Sequence, residues 1–278
     1  MTRLAYLGPP GTFTEEALLS CREAEGAELL PLSTVPDVIA AVESKAVEGG
    51  VVPIENSIEG SVNITLDTLA FDAVDVIIQR EIVLPIRHAL LAKPGVSLDA
   101  IAAVVSHPHA TGQCRKFLIS NVPNAEIRAA NSTAEAARIV ADRGPIEPWA
   151  AIGTELAAKL YGLVVLAPDI EDRRENSTRF VLVGRDPVPP TGTDKTSVVC
   201  FIAKDRPGAL LAILHEFSDR GINLTKLESR PTKERLGEYC FFIDIEGHGD
   251  EDEVKHALQS LRTKILDVKV MGSYPRAG

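Results

Sequence analysis

Short apolar strands alternate with helices over the first 190 residues, and this alternation constrains the fold more than any other feature of the sequence. Strands that alternate with helices build a parallel sheet from βαβ units, so we predict an α/β fold. An extended stretch at 81–92 is long enough to cross between two lobes, with Pro85 at a sheet edge. The predicted strands lie at 3–7, 50–54, 102–105, 149–153, 164–167 and 180–184, and the predicted helices at 12–20, 62–69, 108–120, 133–144 and 154–161.

Two of these helices begin with a capping box, formed by Thr12 with Glu15 and by Ser132 with Glu135. The turn before the first helix, G-P-P-G at 8–11, fits two roles equally well. It is either an anion site made of backbone N–H groups at the helix start or an ordinary strand-to-helix connection. Its spacing matches neither a dinucleotide-binding fingerprint nor a P-loop.

Polar side chains collect at three strand ends, namely E-N-S-I-E-G-S at 55–61, Ser106 with His107, and N-S-T-R at 176–179. Ligands of open α/β sheets bind at such ends. Hydroxyls, amides and one Arg suit a small polyanion that carries a hydroxyl group. His107 taken alone is more typical of a hydrogen-bonded structural histidine than of a base. The sequence has no metal-ligand spacing, no G-x-S-x-G and no cofactor motif, so we expect no metal and no cofactor.

The last of these clusters, E-N-S-T-R-F at 175–180, places an Arg and a Thr side by side at a strand start. An Arg held there can grip a carboxylate through two parallel hydrogen bonds, and the Thr hydroxyl can reach the same ligand. The alternative is a turn in which Ser177 and Thr178 satisfy the local backbone while Arg179 is solvated.

Composition limits the partners and the location. The chain has 278 residues, 45% of them hydrophobic, and a net charge of −10. Nucleic acid and anionic membranes need clustered basic surface, so neither is expected as a partner. No run of 18 apolar residues and no secretion signal is present, which predicts a cytoplasmic protein. The four cysteines are far apart, which indicates reduced core thiols.

A proline-rich run, D-P-V-P-P-T-G-T-D at 186–194, divides the chain. We place a first domain at 1–186, a linker at 187–195 and a second domain at 196–275. Residues 1–190 carry 16 basic and 25 acidic side chains and residues 191–278 carry 13 and 14, as expected of separate units. The second unit follows the order βαββαβ, a ferredoxin-like layout. Its elements are predicted at 197–203, 207–220, 222–230, 238–246, 250–264 and 268–273, with a turn at 233–237.

Four ordered motifs resemble prephenate dehydratase: Y-L-G-P-P-G-T-F-T-E-E-A at 6–17, V-P-I-E-N-S-I-E-G-S-V at 52–62, S-H-P-H-A-T-G-Q-C at 106–114 and D-I-E-D-R-R-E-N-S-T-R-F at 169–180. The resemblance implies two α/β lobes, like a periplasmic binding protein, with the active site in the cleft between them. It implies conversion of prephenate to phenylpyruvate, with loss of water and carbon dioxide and without a cofactor, as the committed step towards phenylalanine. His109 stands where the family commonly has Gln, so it is assigned no role.

In that family the threonine matching Thr178 is essential as a hydrogen-bond or proton donor to the ring hydroxyl. A Thr hydroxyl is a very weak acid, so we favour a positioned donor that relays a proton through Ser57, Glu55 or water. We assign Arg179 to the pyruvyl carboxylate, because pairing it with the departing ring carboxylate would stabilise the ground state. The implied substrate-binding set is Glu55, Asn56, Ser57, Gly60, Ser61, Ser106, His107, Gln113, Asn176, Ser177 and Phe180.

Three motifs of the second unit, R-P-G-A-L-L at 206–211, G-I-N-L at 221–224 and E-S-R-P at 228–231, resemble the ACT regulatory domain of these dehydratases. In that family phenylalanine binds where two ACT domains meet. The resemblance therefore implies allosteric inhibition by phenylalanine and a homodimer or homotetramer. The implied effector set is Gly208, Ala209, Leu210, Leu211, Asn223, Leu224, Glu228, Ser229, Arg230 and Pro231.

Two other interpretations stay open. The enzyme could act on arogenate, in which an amino group replaces the keto group, and no residue excludes this substrate. The chain could instead be a non-catalytic amino-acid sensor. Thr178 beside Arg179 argues against a sensor, because binding alone does not require that hydroxyl.

Overall fold

The computed structural model describes residues 2–144, 147–202, 207–233 and 238–277. The strands are β1 (Arg3–Leu7), β2 (Glu28–Leu32), β3 (Gly49–Asn56), β4 (Gly60–Ser61), β5 (Ile77–Pro85), β6 (Ala89–Ala92), β7 (Ala103–Ser106), β8 (Glu126–Ala129), β9 (Trp149–Gly153), β10 (Val164–Ala167), β11 (Ser177–Gly184), β12 (Asp194–Phe201), β13 (Leu224–Pro231), β14 (Tyr239–Glu246) and β15 (Asp267–Pro275). The helices are α1 (Phe13–Leu19), α2 (Val35–Glu43), α3 (Asn63–Asp67), α4 (Pro108–Gln113), α5 (Arg115–Asn121), α6 (Thr133–Asp142), α7 (Glu155–Tyr161), α8 (Ala209–Ser218) and α9 (Asp252–Lys264).

The first domain forms two lobes, each around its own sheet. The first sheet has the order β2-β1-β3-β11-β5 with β4 paired to β3, and the second has the order β10-β6-β9-β7-β8. The predicted α/β class and two lobes are confirmed, but the wholly parallel sheet is wrong, since β11 runs antiparallel to β3 and β5, and β6 antiparallel to β9. The chain leaves the first lobe through β5 and returns through β11, so these neighbouring strands run in opposite directions.

Several elements differ from the sequence prediction. The helix predicted at 108–120 is two helices, because its backbone departs from helical geometry at Cys114. The extended stretch at 81–92 is likewise two strands, β5 and β6, and each belongs to a different lobe. Strand β8, E-I-R-A, escaped prediction because it is only four residues long and all four are exposed, so it carries no buried apolar run. Strand β2 and helix α2 were also missed, although Thr34 caps α2 by accepting a hydrogen bond from the Asp37 N–H.

The second domain has the predicted βαββαβ order, with its sheet arranged β13-β14-β12-β15 and helices α8 and α9 on one face. The ferredoxin-like layout is therefore confirmed. Strand β12 begins at Asp194, inside the stretch predicted as linker. Most of the predicted turn at 233–237 lies outside the described residues.

The other face of this sheet packs directly on the first lobe. Val199, Phe242 and Met271 belong to the same buried core as Ile54 and Ile78 of the first lobe. Strand β15 lies so close to β5 that a Cβ added at Gly272 would be 2.3 Å from the Ile78 carbonyl oxygen. The two domains therefore share a core in addition to their covalent connection. Among the residues described, no helix is long and apolar enough to cross a membrane.

Candidate active site

A cavity of about 490 Å³ lies between the two lobes of the first domain. Three helices, α1, α4 and α6, begin at its wall, and their N-cap residues are Thr12, His107 and Ser132. The wall is formed by Thr12, Phe13, Thr14, Pro53, Asn56, Glu59, Gly60, Ser61, Val62, Thr178 and Phe180 from the first lobe and by Ile86, His88, His107, His109, Ala110, Gln113, Asn131, Ser132 and Thr133 from the second. Both lobes thus contribute polar groups to one space, as the sequence predicted.

The orientation of the Asn56 amide is determined by the backbone. Its Oδ1 accepts hydrogen bonds from the N–H groups of Ile58 at 2.9 Å and Glu59 at 3.0 Å. Its Nδ2 must therefore point the other way, where it donates to Thr178 Oγ1 at 2.8 Å and to Asn176 Oδ1 at 2.9 Å. Because donors and acceptors alternate, the turn after β3 sets the direction of both bonds.

The amide chain then crosses from one lobe to the other. Asn176 Nδ2 donates to Gln113 Oε1 at 3.0 Å, and Gln113 Nε2 donates to Glu59 Oε1 at 3.1 Å. A carboxylate can only accept, so Glu59 determines the orientation of Gln113 just as the backbone determines that of Asn56. We call Asn56, Asn176, Gln113 and Glu59 the amide relay.

Thr178 lies on β11 opposite Asn56 of β3 and is 8% exposed. Its Oγ1 accepts the hydrogen bond from Asn56, and no described residue accepts the hydroxyl hydrogen in return. The Thr178 hydroxyl therefore reaches the cavity wall with one hydrogen bond accepted and its own hydrogen free to donate. This arrangement fits hydrogen-bond donation to an oxygen atom of a ligand.

Arg179 follows Thr178 but lies on the other side of β11, because successive strand residues face opposite ways. Its guanidinium contacts Asp244 at 2.7 Å, Glu55 at 3.1 Å and Glu81 at 3.4 Å, with the Arg side chain 11% exposed. Burial lowers the pKa of Arg179, but Asp244 and Glu55 more than offset this effect and the pKa is raised. Arg179 is absent from the cavity wall, so its assignment to a substrate carboxylate remains a prediction that this geometry does not favour.

Other predicted residues also divide between the cavity and supporting positions. Asn56, Gly60, Ser61, His107, Gln113, Thr178 and Phe180 line the cavity. Ser106 is fully buried and its hydroxyl donates to the Ile152 carbonyl at 2.8 Å, which is a structural bond. The Ser57 hydroxyl accepts from the Ser177 N–H at 3.0 Å and so connects the loops that carry Asn56 and Asn176. The carboxylate of Glu55 contacts Lys226 at 3.3 Å and points toward the second domain.

Sequence reasoning missed several wall residues, of which His88 is the most informative. Its side chain is enclosed in the cavity wall, with its ring 5.4 Å from that of Phe13 and its Nε2 3.1 Å from Gln113 Oε1. A single His inside the run I-R-H-A-L-L at 86–91 is the signal that was available. Phe13, Thr14, Asn131 and Thr133 were also missed; they flank the N-caps Thr12 and Ser132, whose capping boxes predicted helix starts but not contact with a ligand.

The predicted effector residues do not form one group. Gly208 caps α8 with a positive φ of 83°, and Asn223 lies on the loop before β13. On β13 the side chains of alternate residues are more buried, and three of these, Lys226, Glu228 and Arg230, contact the first domain. Glu228 Oε2 accepts from Ser61 Oγ at 2.5 Å, and Arg230 contacts Asp67 at 2.8 Å. Ser229 and Pro231 are exposed, as is Leu211 on α8. Ala209 and Leu210 pack against the core of the second domain, together with Leu224.

Comparison with known proteins agrees with this architecture. A family model for prephenate dehydratase matches residues 4–188, and one for the ACT domain matches residues 196–263. The chain is 44% identical to a prephenate dehydratase of Amycolatopsis methanolica, covering 100% of this chain and 90% of that protein. It is also 44% identical to a bifunctional chorismate mutase/prephenate dehydratase of Aquifex aeolicus, covering 99% of this chain and 74% of that one.

Two solved structures are similar over nearly the whole chain. A prephenate dehydratase from Arthrobacter aurescens in complex with L-Phe superposes with a TM-score of 0.92 at 41% identity, covering 99% of this chain and 90% of that one. GqqA, described as a novel type of quorum quenching acylase, superposes with a TM-score of 0.87 at 30% identity, covering 99% and 98%. The family models and the curated relatives agree on one family, and this chain therefore belongs to the prephenate dehydratases, which are hydro-lyases, with a C-terminal ACT domain.

Proposed function

We propose that the cavity converts prephenate to phenylpyruvate and that phenylalanine binding to the ACT domain inhibits this reaction. The observation that carries the catalytic part is the Thr178 hydroxyl, which accepts from Asn56 at 2.8 Å and keeps its own hydrogen available to the ligand. Prephenate has a hydroxyl on one ring carbon and a carboxylate and a pyruvyl group on the opposite one. Aromatisation drives the loss of the hydroxyl and the carboxylate, so the protein needs only to orient the ring and help the hydroxyl to leave.

The amide relay supplies that orientation. Its donors and acceptors are matched at each position. Both of its ends, Asn56 and Glu59, lie in the first lobe, and Gln113 of the second lobe is held between Asn176 and Glu59, so the Thr178 hydroxyl is oriented before the reaction begins. A donor that is held in place needs no reorganisation as negative charge develops on the departing oxygen. The N–H groups at the helix starts of the cavity wall favour the carboxylates of the substrate in the same way.

The test is a direct product assay. Purified protein is incubated with prephenate and, in parallel, with arogenate, and the products phenylpyruvate and phenylalanine are separated chromatographically. We expect phenylpyruvate from prephenate. Conversion of arogenate alone would reassign the substrate, and no conversion of either would refute the dehydratase function.

The similarity to GqqA raises acyl transfer as a second activity, and the site argues against Thr178 as its nucleophile. A hydroxyl nucleophile needs a base within hydrogen-bond reach. The partner that the described residues give Thr178 is the Asn56 amide, which donates to it and cannot take its proton. Incubation with an N-acyl homoserine lactone should therefore release no fatty acid.

Inhibition by phenylalanine has a physical route through β13. The Ser61 hydroxyl lines the cavity, donates to Glu228 Oε2 at 2.5 Å and accepts from Lys226 Nζ at 2.6 Å. Two side chains of the ACT domain thus hold one residue of the cavity wall. An effector that displaces β13 alters this contact. It can shift the equilibrium between the original and the displaced arrangement of β13 only by the difference in its binding free energy for the two, typically about 1 to 3 kcal/mol.

We further propose that two chains meet at the exposed edge of the ACT sheet, where β13 is the outer strand. Leu227 and Ser229 of this strand and Leu211 of α8 are exposed. A ligand that joins these residues across two chains would order both β13 strands. Sedimentation with and without phenylalanine tests the assembly, since a monomer in both conditions contradicts it.

Lys226→Met tests the route to the cavity. Lys226 contacts Ser61, Glu55 and Glu228, and its own side chain does not line the cavity. We expect phenylalanine to bind as before, by calorimetry, while its inhibition of turnover weakens by about 5-fold or more. Lys255→Met, an exposed change on α9, is the matched control. Full inhibition of the Lys226 variant would remove β13 from the route.

A further inference from the structure

Given the proposed reaction, on which this inference rests, the charge balance requires a proton donor. Prephenate arrives with two carboxylates, whereas phenylpyruvate leaves with one, together with carbon dioxide and water. One proton per turnover must therefore reach the departing hydroxyl oxygen. A Thr hydroxyl is too weak an acid to supply it at neutral pH. The titratable side chains of the cavity wall are Glu59, His88, His107 and His109.

Three of these four are committed elsewhere or exposed. Glu59 accepts from Gln113 and lies 3.9 Å from His109, with side chains 40% and 62% exposed. His107 caps α4, where its Nδ1 accepts from the His109 N–H at 3.3 Å. His88 differs from all of them because it is only 3% exposed.

The amide relay determines the tautomer of His88. Gln113 turns its Oε1 toward His88 because its Nε2 is bound to Glu59, so His88 Nε2 must carry the hydrogen of their 3.1 Å bond. The other ring nitrogen, Nδ1, then has a lone pair and no hydrogen. It is buried and has no hydrogen-bond partner among the described residues. A buried polar atom without a partner is unfavourable, and in an active site a ligand is the natural explanation.

Burial of the ring favours its neutral form until substrate binds. Burial lowers the pKa of His88, while Gln113 and Glu171 partly offset this effect. Glu171 accepts from the His88 backbone N–H at 2.9 Å and is itself paired with Arg87 at 3.1 Å. Phe13 packs against the ring, Glu59 lies beyond Gln113, and His107 and His109 are on the side of α4. A dianion entering this cavity shifts the balance toward the imidazolium.

We propose that His88 takes up a proton on Nδ1 when prephenate binds and delivers it to the ring hydroxyl. The Nδ1–H bond and the carbon–oxygen bond break as the new O–H bond forms. The bond between the opposite ring carbon and its carboxylate breaks at the same time, and its electron pair completes the aromatic ring. Water and carbon dioxide leave, His88 returns to neutral, and Thr178 donates a second hydrogen bond to the departing oxygen.

His88→Gln is the informative variant, because the Gln amide can keep the contact with Gln113 but provides nothing at the position of Nδ1. We expect kcat to fall by roughly 10²- to 10⁴-fold with little change in KM. The decline of the wild-type kcat at high pH, which reports the loss of the donor's proton, should disappear in the variant. His256→Gln, on the exposed side of α9, is the control. Wild-type kcat with an unchanged alkaline limb would overturn the proposal.

A second measurement does not depend on turnover. Prephenate is titrated calorimetrically into Thr178→Ala protein, in buffers of different ionisation enthalpy, to count the protons taken up on binding. We expect up to one proton near pH 8, and none when His88→Gln is added. Equal uptake in both proteins would refute His88 as the site of protonation. Absence of prephenate binding or turnover in the wild-type protein would instead refute the dehydratase function, and this inference with it.

Discussion

The contact between the domains rests on a buried charge cluster, which Asp244→Asn should weaken measurably. Asp244 is 4% exposed and accepts from Arg179 at 2.7 Å and from the Ser197 hydroxyl at 2.6 Å. Removing one partner of a buried ion pair costs about 3 to 5 kcal/mol. Glu55 and Glu81 still contact Arg179, at 3.1 and 3.4 Å, so we expect the lower end, about 3 kcal/mol. For a chain of this size that corresponds to a fall in Tm of roughly 6 °C.

Glu246→Gln is the matched control, because Glu246 lies on the same strand β14 and also forms an ion pair with an arginine. Its contact with Arg276 is 2.6 Å long, but the two side chains are 38% and 46% exposed. Exposed pairs contribute at most about 1 kcal/mol. Thermal and urea unfolding are followed by circular dichroism at low and high salt. The stability lost in the Asp244 variant should depend less on salt than the stability lost in the Glu246 variant.

The result that would refute this reasoning is an Asp244 variant no less stable than the Glu246 variant. A double-mutant cycle with Arg179→Met separates the pair from its surroundings. A coupling energy near zero would show that Arg179 and Asp244 are buried side by side without stabilising each other. The cluster would then contribute little to the contact between domains.

Further predictions follow from single contacts. Thr178→Val should lower kcat by roughly 10²- to 10⁴-fold while Thr178→Ser retains much of it, and equal rates in steady-state assays would remove the hydroxyl from the mechanism. Arg179→Lys should lower Tm clearly and raise KM only slightly, because the guanidinium contacts three carboxylates and not the cavity wall. A large rise in KM at unchanged Tm would restore the assignment of Arg179 to a substrate carboxylate. Gly272→Ala should destabilise the protein by at least about 1 to 3 kcal/mol in urea unfolding, since the Cβ of the alanine would lie 2.3 Å from the Ile78 carbonyl oxygen. A neutral effect would mean that β15 and β5 can separate at little cost. Because the pKa of His88 is lowered in the folded protein, the unfolded chain protonates this imidazole first as pH falls below about 6.5. The free energy of unfolding should therefore drop below that pH in the wild type, and drop less in His88→Gln. Equal acid sensitivity of the two proteins, measured by urea unfolding at pH 5 to 7.5, would contradict the burial of a neutral ring.

Local sequence patterns were sufficient for the features that depend on local physics. The hydroxyls of Thr12 and Ser132 cap their helices as predicted, because a hydroxyl three residues before a free N–H needs no distant partner. The carboxylates of Glu15 and Glu135 accept instead from the N–H groups of Gly11 and Asn131, one residue before each cap. The βαββαβ order of the second domain also follows from apolar periodicity and turn residues, and the polar strand ends indicated where the cavity would lie. The mixed sheets were not predictable in this way, since strand direction depends on where the chain re-enters a lobe.

The tertiary structure alone decided which neighbouring side chains work together. Thr178 and Arg179 are adjacent in sequence, yet the pleat of β11 sends one to the cavity and the other to the ACT domain. The amide relay joins residues 56, 59, 113 and 176, and the unpartnered nitrogen of His88 has meaning only once Gln113 is oriented. A sequence specifies which groups can donate or accept hydrogen bonds. Only packing determines which of these groups find a partner within the protein, and the groups without one are those left for substrate.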